Sequence, residues 1–117
     1  MSSPTPASVP GQDLYRSGNL KGPSPIRSGI DIMPDSFGMV HPSDPPLGMS
    51  TFSDPAQLPT RGRVWRLRGE VLLPEGLQAV SDPPPLGHVT IGPSRTMPEE
   101  EFLRLLEELP WEDTGQK

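Results

Sequence analysis

The sequence predicts an α+β fold, a small β-sheet covered on one face by a C-terminal amphipathic helix. Three observations predict it. Segments 63–80 and 88–91 hold short apolar runs, and the alternation within them has the period of half-buried strands. Residues 102–109 carry a clear helical stripe. Eighteen prolines and twelve glycines interrupt most other windows, so the connections are long and irregular. At 117 residues the chain fits one domain. The apolar residues are few, so the core is small. We place the domain at 13–112. Residues 1–12 (MSSPTPASVPGQ) carry no charge and no patterned apolar face, and are read as a disordered arm.

DLYRSG, 13–18, is a short strand ending at Gly18. Residues 19–47 mix Pro, Gly and Ser with single apolar residues and hold no helix of useful length. Such a long loop is functional or disordered. FSDPAQLP fits one helical turn, with Ser53 as N-cap and Pro55 in the first turn. RVWRLRG alternates as a strand, with Val64, Arg66 and Arg68 on one face and Trp65 and Leu67 on the other. A turn follows at 74–76, then LQAVSD as a strand, SDPPPLG as a loop and HVTIGP as a short strand. In the last strand Val89 and Ile91 lie opposite His88 and Thr90. The helix opens on a capping box of Thr96 and Glu99. Phe102, Leu105, Leu106 and Leu109 form its packing stripe, and Pro110 stops it. Tyr15, Trp65 and Phe102 are expected in the core.

The net charge is −5, and it is unevenly spread. Seven carboxylates and one arginine lie between Glu99 and Asp113, whereas RGRVWRLR, 61–68, carries four arginines and no acid. The arginines read as a solvated face. An acidic chain is a poor general nucleic-acid binder, although a local basic strand can meet an anionic ligand. Without cysteine there is no disulfide framework or thiolate metal site. His41 and His88 lack an acidic or histidine partner at ligand spacing, which argues against zinc. No apolar run is long enough for a membrane helix, and the first residues lack the n- and h-regions of a secretory signal. The expected compartment is the cytoplasm, with delivery by a signal-independent secretion route left open.

Ser50 and His88 can meet in space, but GMSTF lacks the G-x-S-x-G elbow of a serine hydrolase and no orienting acid stands out. No P-loop or G-x-G-x-x-G fingerprint occurs. The remaining polar set is Arg16, Ser50, Thr51 and His88. Arginine offers a planar fork to a phosphate. Paired hydroxyls hold a ribose or an amide, and a polar group on a neighbouring strand takes ribose hydroxyls or polarises the reacting carbon. That set suits a nicotinamide dinucleotide cleaved at its glycosidic carbon, where the protein stabilises an oxocarbenium-like centre and positions an acceptor. Ser50 and Thr51 then grip the ligand without attacking it.

LYR near the start, GMSTF in mid-chain, a charged strand, the LPEGL turn and GHVTI running into GPSRTMPEEEF occur in a fixed order. Over about residues 13–109 this order resembles the ADP-ribosyltransferase-like toxins delivered by type VI secretion. The resemblance implies a split, twisted β-sheet that cradles NAD between its halves. It implies that Arg16 contacts phosphate or ribose and that Ser50 and Thr51 support the nicotinamide ribose. His88 falls where many transferases carry a catalytic Glu, so NAD hydrolysis, an unusual acceptor or a ligand-binding relic are all open outcomes. A protein or nucleic-acid acceptor and a cognate antitoxin or immunity protein are the implied partners. The related RNA 2′-phosphotransferases share the general fold. The alternative from another class is a non-enzymatic adaptor that lays its acidic C-terminal helix on a basic partner.

Overall fold

The structure, a computed structural model, describes residues 12–58, 62–83 and 86–115. Most of the expected disordered arm 1–12, and Arg61, lie outside the described residues. The strands are β1 (Leu14–Gly18), β2 (Met39–Val40), β3 (Met49–Phe52), β4 (Arg63–Leu67), β5 (Leu77–Ser81), β6 (His88–Pro93), β7 (Met97–Pro98) and β8 (Glu112–Asp113). The helix α1 spans Glu99–Glu107. Six strands form one sheet in the order β5-β6-β3-β1-β4-β8, and β2 pairs with β7 in a separate two-stranded ladder. All of these pairings are antiparallel. The coarse expectation of an α+β fold with one helix on a small sheet describes this architecture.

The helix sits where its stripe directs it. Phe102, Leu105, Leu106 and Leu109 are all buried, against Leu14, Leu67, Met49, Leu77, Val89 and Ile91. Each such side chain contributes about 1.5–3 kcal/mol on leaving water. Arg95 ties the first turn of α1 to the turn before β5, bonding Glu101 at 2.8 Å and Glu75 at 2.9 Å.

Several local expectations are corrected. Asp54, not Ser53, caps the short 3-10 turn Pro55–Gln57, its carboxylate accepting from the Ala56 N–H at 2.9 Å. Pro98 is the N-cap of α1 and brings no side-chain cap bond. Thr96 bonds His41 Nδ1 at 2.9 Å instead, because Met97–Pro98 are drawn out into β7. Of the residues expected in the core, Phe102 is fully buried, whereas Tyr15 and Trp65 are only half-buried.

The domain also continues past residue 112, since β8 adds an edge strand to β4 and Thr114 donates to the Val64 carbonyl. That strand explains the uneven charge. Arg66 and Arg68 both bond Glu112, at 3.0 and 2.9 Å, and Arg63 lies 3.7 Å from Asp113. The described arginines of β4 are therefore an ion-paired edge and not a free solvated face. The hydrogen bonds of Arg68 and then Arg66 hold the Glu112 carboxyl below the usual carboxylate range.

The pairing at the centre of the sheet is short. β1 runs beside β4 from Leu14–Leu67 to Gly18–Arg63, and β3 runs beside β6 from Met49–Ile91 to Phe52–His88. Between β1 and β3, however, the described register is Tyr15 with Phe52 alone. Beyond Tyr15 the chain folds back on β1. Ser24 N–H donates to the Ser17 carbonyl at 3.0 Å, and Gly18 bridges Pro23. Residues 22–24 thus lie against the end of β1, beyond its pairing with β3.

Candidate functional site

The segment GMSTF becomes β3, a central strand. Gly48 leads into it, and any Cβ there would run into the Ile91 carbonyl, so only glycine lets β3 approach β6 this closely. Alternation then sends Met49 and Thr51 towards the core and Ser50 and Phe52 to the opposite, half-exposed face. β6 does the same with Val89 and Ile91 against His88. Because Ser50 pairs with Thr90 and Phe52 with His88, Ser50 and His88 are diagonal neighbours on one face.

Ser50 Oγ and His88 Nε2 are 2.5 Å apart. His88 Nδ1 lies 2.8 Å from the Asp82 backbone carbonyl. A carbonyl oxygen only accepts, so Nδ1 carries the proton and donates to it. In the neutral imidazole Nε2 is then the unprotonated nitrogen, and the Ser50 hydroxyl donates to it. The Asp82 carboxylate stands next to the ring, Oδ2 being 3.6 Å from Nδ1, and Thr90 Oγ1 donates to that same oxygen at 3.0 Å. Phe52 closes one side of the imidazole, with ring centroids 5.1 Å apart and a 46° tilt. Gly87, at φ +93, turns the chain into β6, and a Cβ there would meet Gln57 Oε1 and Ser53 Oγ. The His88 side chain is 16% exposed and that of Asp82 23%, so the group is sheltered yet open to one side.

The four sequence-selected residues part company here. Ser50 and His88 come together. Thr51 is fully buried and donates its hydroxyl to the Val89 carbonyl at 2.7 Å, so it is a core residue and does not join Ser50 in gripping a ligand. Arg16 lies on β1 with its fork engaged. Its Nε donates to the Ser24 carbonyl and its Nη1 to the Ser50 carbonyl, both at 2.7 Å. It clamps residues 22–24 to β3 in place of offering a free fork to phosphate. Burial pushes its guanidinium below the ordinary arginine value, with Asp31 opposing and Arg27 adding to the shift.

Asp82 is the residue sequence reasoning missed. The two strands flanking 82–87 were legible, and antiparallel pairing of them puts Asp82 across from His88, as its N–H bond to the His88 carbonyl at 2.9 Å shows. His41 also has an acidic neighbour in space, its Nε2 meeting Asp35 Oδ2 at 2.7 Å. A groove of about 450 Å³ lies elsewhere, on the helix side of the sheet between Ile26, Met49, Trp65, Leu106 and Trp111. Met49 reaches it while Ser50 points away, so this mainly apolar groove is separate from the Ser50–His88 pair.

Comparison with protein-family models, with curated proteins and with solved structures finds no match to this chain. Among the described residues no helix is long and apolar enough to cross a membrane.

Proposed function

We propose that the chain is a small NAD-cleaving enzyme of the ADP-ribosyltransferase kind, with His88 as its base and Ser50 as the hydroxyl paired to that base. The observation that carries this reading is the strand order. Three segments far apart in sequence, bearing Arg16, Ser50 and His88, become the adjacent strands β1, β3 and β6, and the first two share the single register pair Tyr15–Phe52. A split sheet with its polar residues at the split is what the sequence resemblance implies for an NAD cradle. Among the side chains present, the half-exposed Ser50, His88 and Phe52 suit a reactive ribose and a planar base. Arg16 and Thr51 leave the ligand-contacting set, so the fit is to the ribose end of the dinucleotide.

In this role the unprotonated His88 Nε2 takes the proton of a water or acceptor hydroxyl as it attacks the glycosidic carbon. Asp82 fixes the tautomer from the other side of the ring. Activity in the cytoplasm of a target cell, with a cognate neutralising protein, belongs to the same proposal. The test is nicotinamide release from NAD by the full chain, with melting followed in parallel. His88→Ala is expected to lower release by about two to three orders of magnitude. Ser50→Ala loses one hydrogen bond and is expected to lower it by about tenfold. A folded chain that releases no nicotinamide and gains no thermal stability from millimolar NAD is instead an interaction protein. A bound ligand at a hundredfold excess over its Kd stabilises by about 2.7 kcal/mol and is visible in melting.

A further inference from the structure

The Ser50–His88–Asp82 group supports more than ligand gripping, and we infer that Ser50 is a base-activated nucleophile able to take an acyl group from a carboxylic ester. The inference goes beyond the NAD reading and does not depend on it. A serine hydroxyl is a weak nucleophile at neutral pH until a base is placed to accept its proton. Here the base is placed at 2.5 Å, and its unprotonated nitrogen is the one facing Ser50 Oγ. The base is oriented by a third group, with the Asp82 carbonyl 2.8 Å from Nδ1 and the Asp82 carboxylate behind it, itself held by Thr90. Nucleophile, base and orienting group therefore stand in sequence on β3, on β6 and just past the end of β5. Their geometry, not the local sequence motif, defines such a constellation. The absence of a G-x-S-x-G elbow removes the usual way of exposing the serine. The diagonal register between β3 and β6 supplies another.

Ser50 Oγ bonds to the ester carbonyl carbon while its proton passes to His88 Nε2. The carbon–alkoxy bond then breaks, and the same proton goes to the departing alcohol. Water, deprotonated by His88, releases the acid and restores Ser50. Asp82 acts through His88 and is a positioning residue.

The experiment treats the full chain with a fluorophosphonate, maps the modified peptide by mass spectrometry, and follows p-nitrophenyl acetate for a burst of one product per chain. The expected result is a single phosphonylated site at Ser50, absent in Ser50→Ala. His88→Gln is expected to slow labelling by about a hundredfold or more, the low end for a general base. Asp82→Asn keeps the backbone carbonyl and is expected to slow labelling less than His88→Gln while shifting the pH profile. The unsubstituted chain should label more slowly at acid pH, a readout that needs no variant to fold. Labelling at another hydroxyl, no labelling of the folded chain, or a rate indifferent to both pH and His88 would overturn the inference. Nicotinamide release without labelling at Ser50 would overturn it while leaving the NAD reading intact.

Discussion

Replacing Thr51 with valine separates a core hydroxyl from a ligand-gripping one. Thr51 and Ser50 are adjacent in sequence but face opposite sides of β3, and Thr51 is fully buried with its hydroxyl donating to Val89. Thr51→Val keeps the size and removes that bond. A neutral hydrogen bond is worth about 0.5–1.5 kcal/mol net. The methyl group that replaces the hydroxyl is itself buried and returns up to about 0.8 kcal/mol. With the full return the expected loss is therefore at most about 0.7 kcal/mol. In a domain of this size it appears as a Tm decrease of no more than roughly 4–8 °C. Nicotinamide release should stay within about twofold of the parent, since experimental error and slight repacking are the only contributions. Ser50→Ala should differ in release, which falls about tenfold, while losing its half-buried bond to His88 costs about 0.5–1.5 kcal/mol. Circular dichroism melting and nicotinamide quantification on the same preparations read both effects. A Thr51→Val protein that melts like the parent but loses tenfold in release would refute the assignment and put Thr51 at the ligand.

Arg16→Met keeps the aliphatic stem and removes both donors. It leaves the Ser24 and Ser50 carbonyls without their clamp, at a cost of roughly 1–3 kcal/mol for each group that finds no substitute; urea denaturation should show the loss, and amide exchange at 22–24 should accelerate. Unchanged stability with abolished activity would instead make Arg16 a ligand contact. At acid pH, Asp35 contributes with a defined sign. The His41 side chain first, and then the Met39 and Phe37 N–H groups, hold its carboxyl below the usual range. Its stabilising contribution is therefore complete above the ordinary Asp pKa of about 3.9 and is lost as pH falls through the depressed folded value. Asp35→Asn should flatten the fall in Tm below about pH 4, and an unaltered acid limb would contradict the assignment.

How far the fold was legible depended on whether the signal was local. The helix stripe at Phe102, Leu105, Leu106 and Leu109 was readable because four apolar residues at helical spacing need no knowledge of the rest of the chain. Strands β4 and β6 were readable from alternation, and β1 and β5 as short runs bounded by turn residues. The strand nature of β3 was not, because Met-Ser-Thr-Phe mixes polar and apolar residues on both faces, and its buried Thr51 is satisfied only by the distant Val89 carbonyl. β8 was hidden for a related reason. Glu112 and Asp113 are poor strand formers by composition, and they pair because β4 offers arginines across the ladder. Of the site, Ser50 and His88 were visible as residues and their bond was not, since a diagonal contact depends on register. Thr51 and Arg16 look like ligand groups in sequence, and only burial and hydrogen bonding show them serving the scaffold.

Two histidines share one local pattern and differ in what they can do. Each follows an aspartate by six residues, Asp35 before His41 and Asp82 before His88. The spacing brings acid and imidazole together in both cases, at 2.7 Å for His41 and 3.6 Å for His88. His41 is 47% exposed, and both its ring nitrogens are engaged, one by Asp35 and the other by Thr96 from the segment before α1. With both nitrogens committed to scaffold groups, it fastens a loop and has no free position from which to act on a substrate. His88 is three times less exposed and gives only Nδ1 to the scaffold, at the Asp82 carbonyl. Its Nε2 is left unprotonated towards a half-buried hydroxyl on the neighbouring strand. The difference comes from the sheet. A histidine opening a central strand has one nitrogen directed back at its own hairpin and the other across the ladder, so the residue opposite decides its chemistry. At this position the group that Nε2 reaches is the diagonal neighbour Ser50.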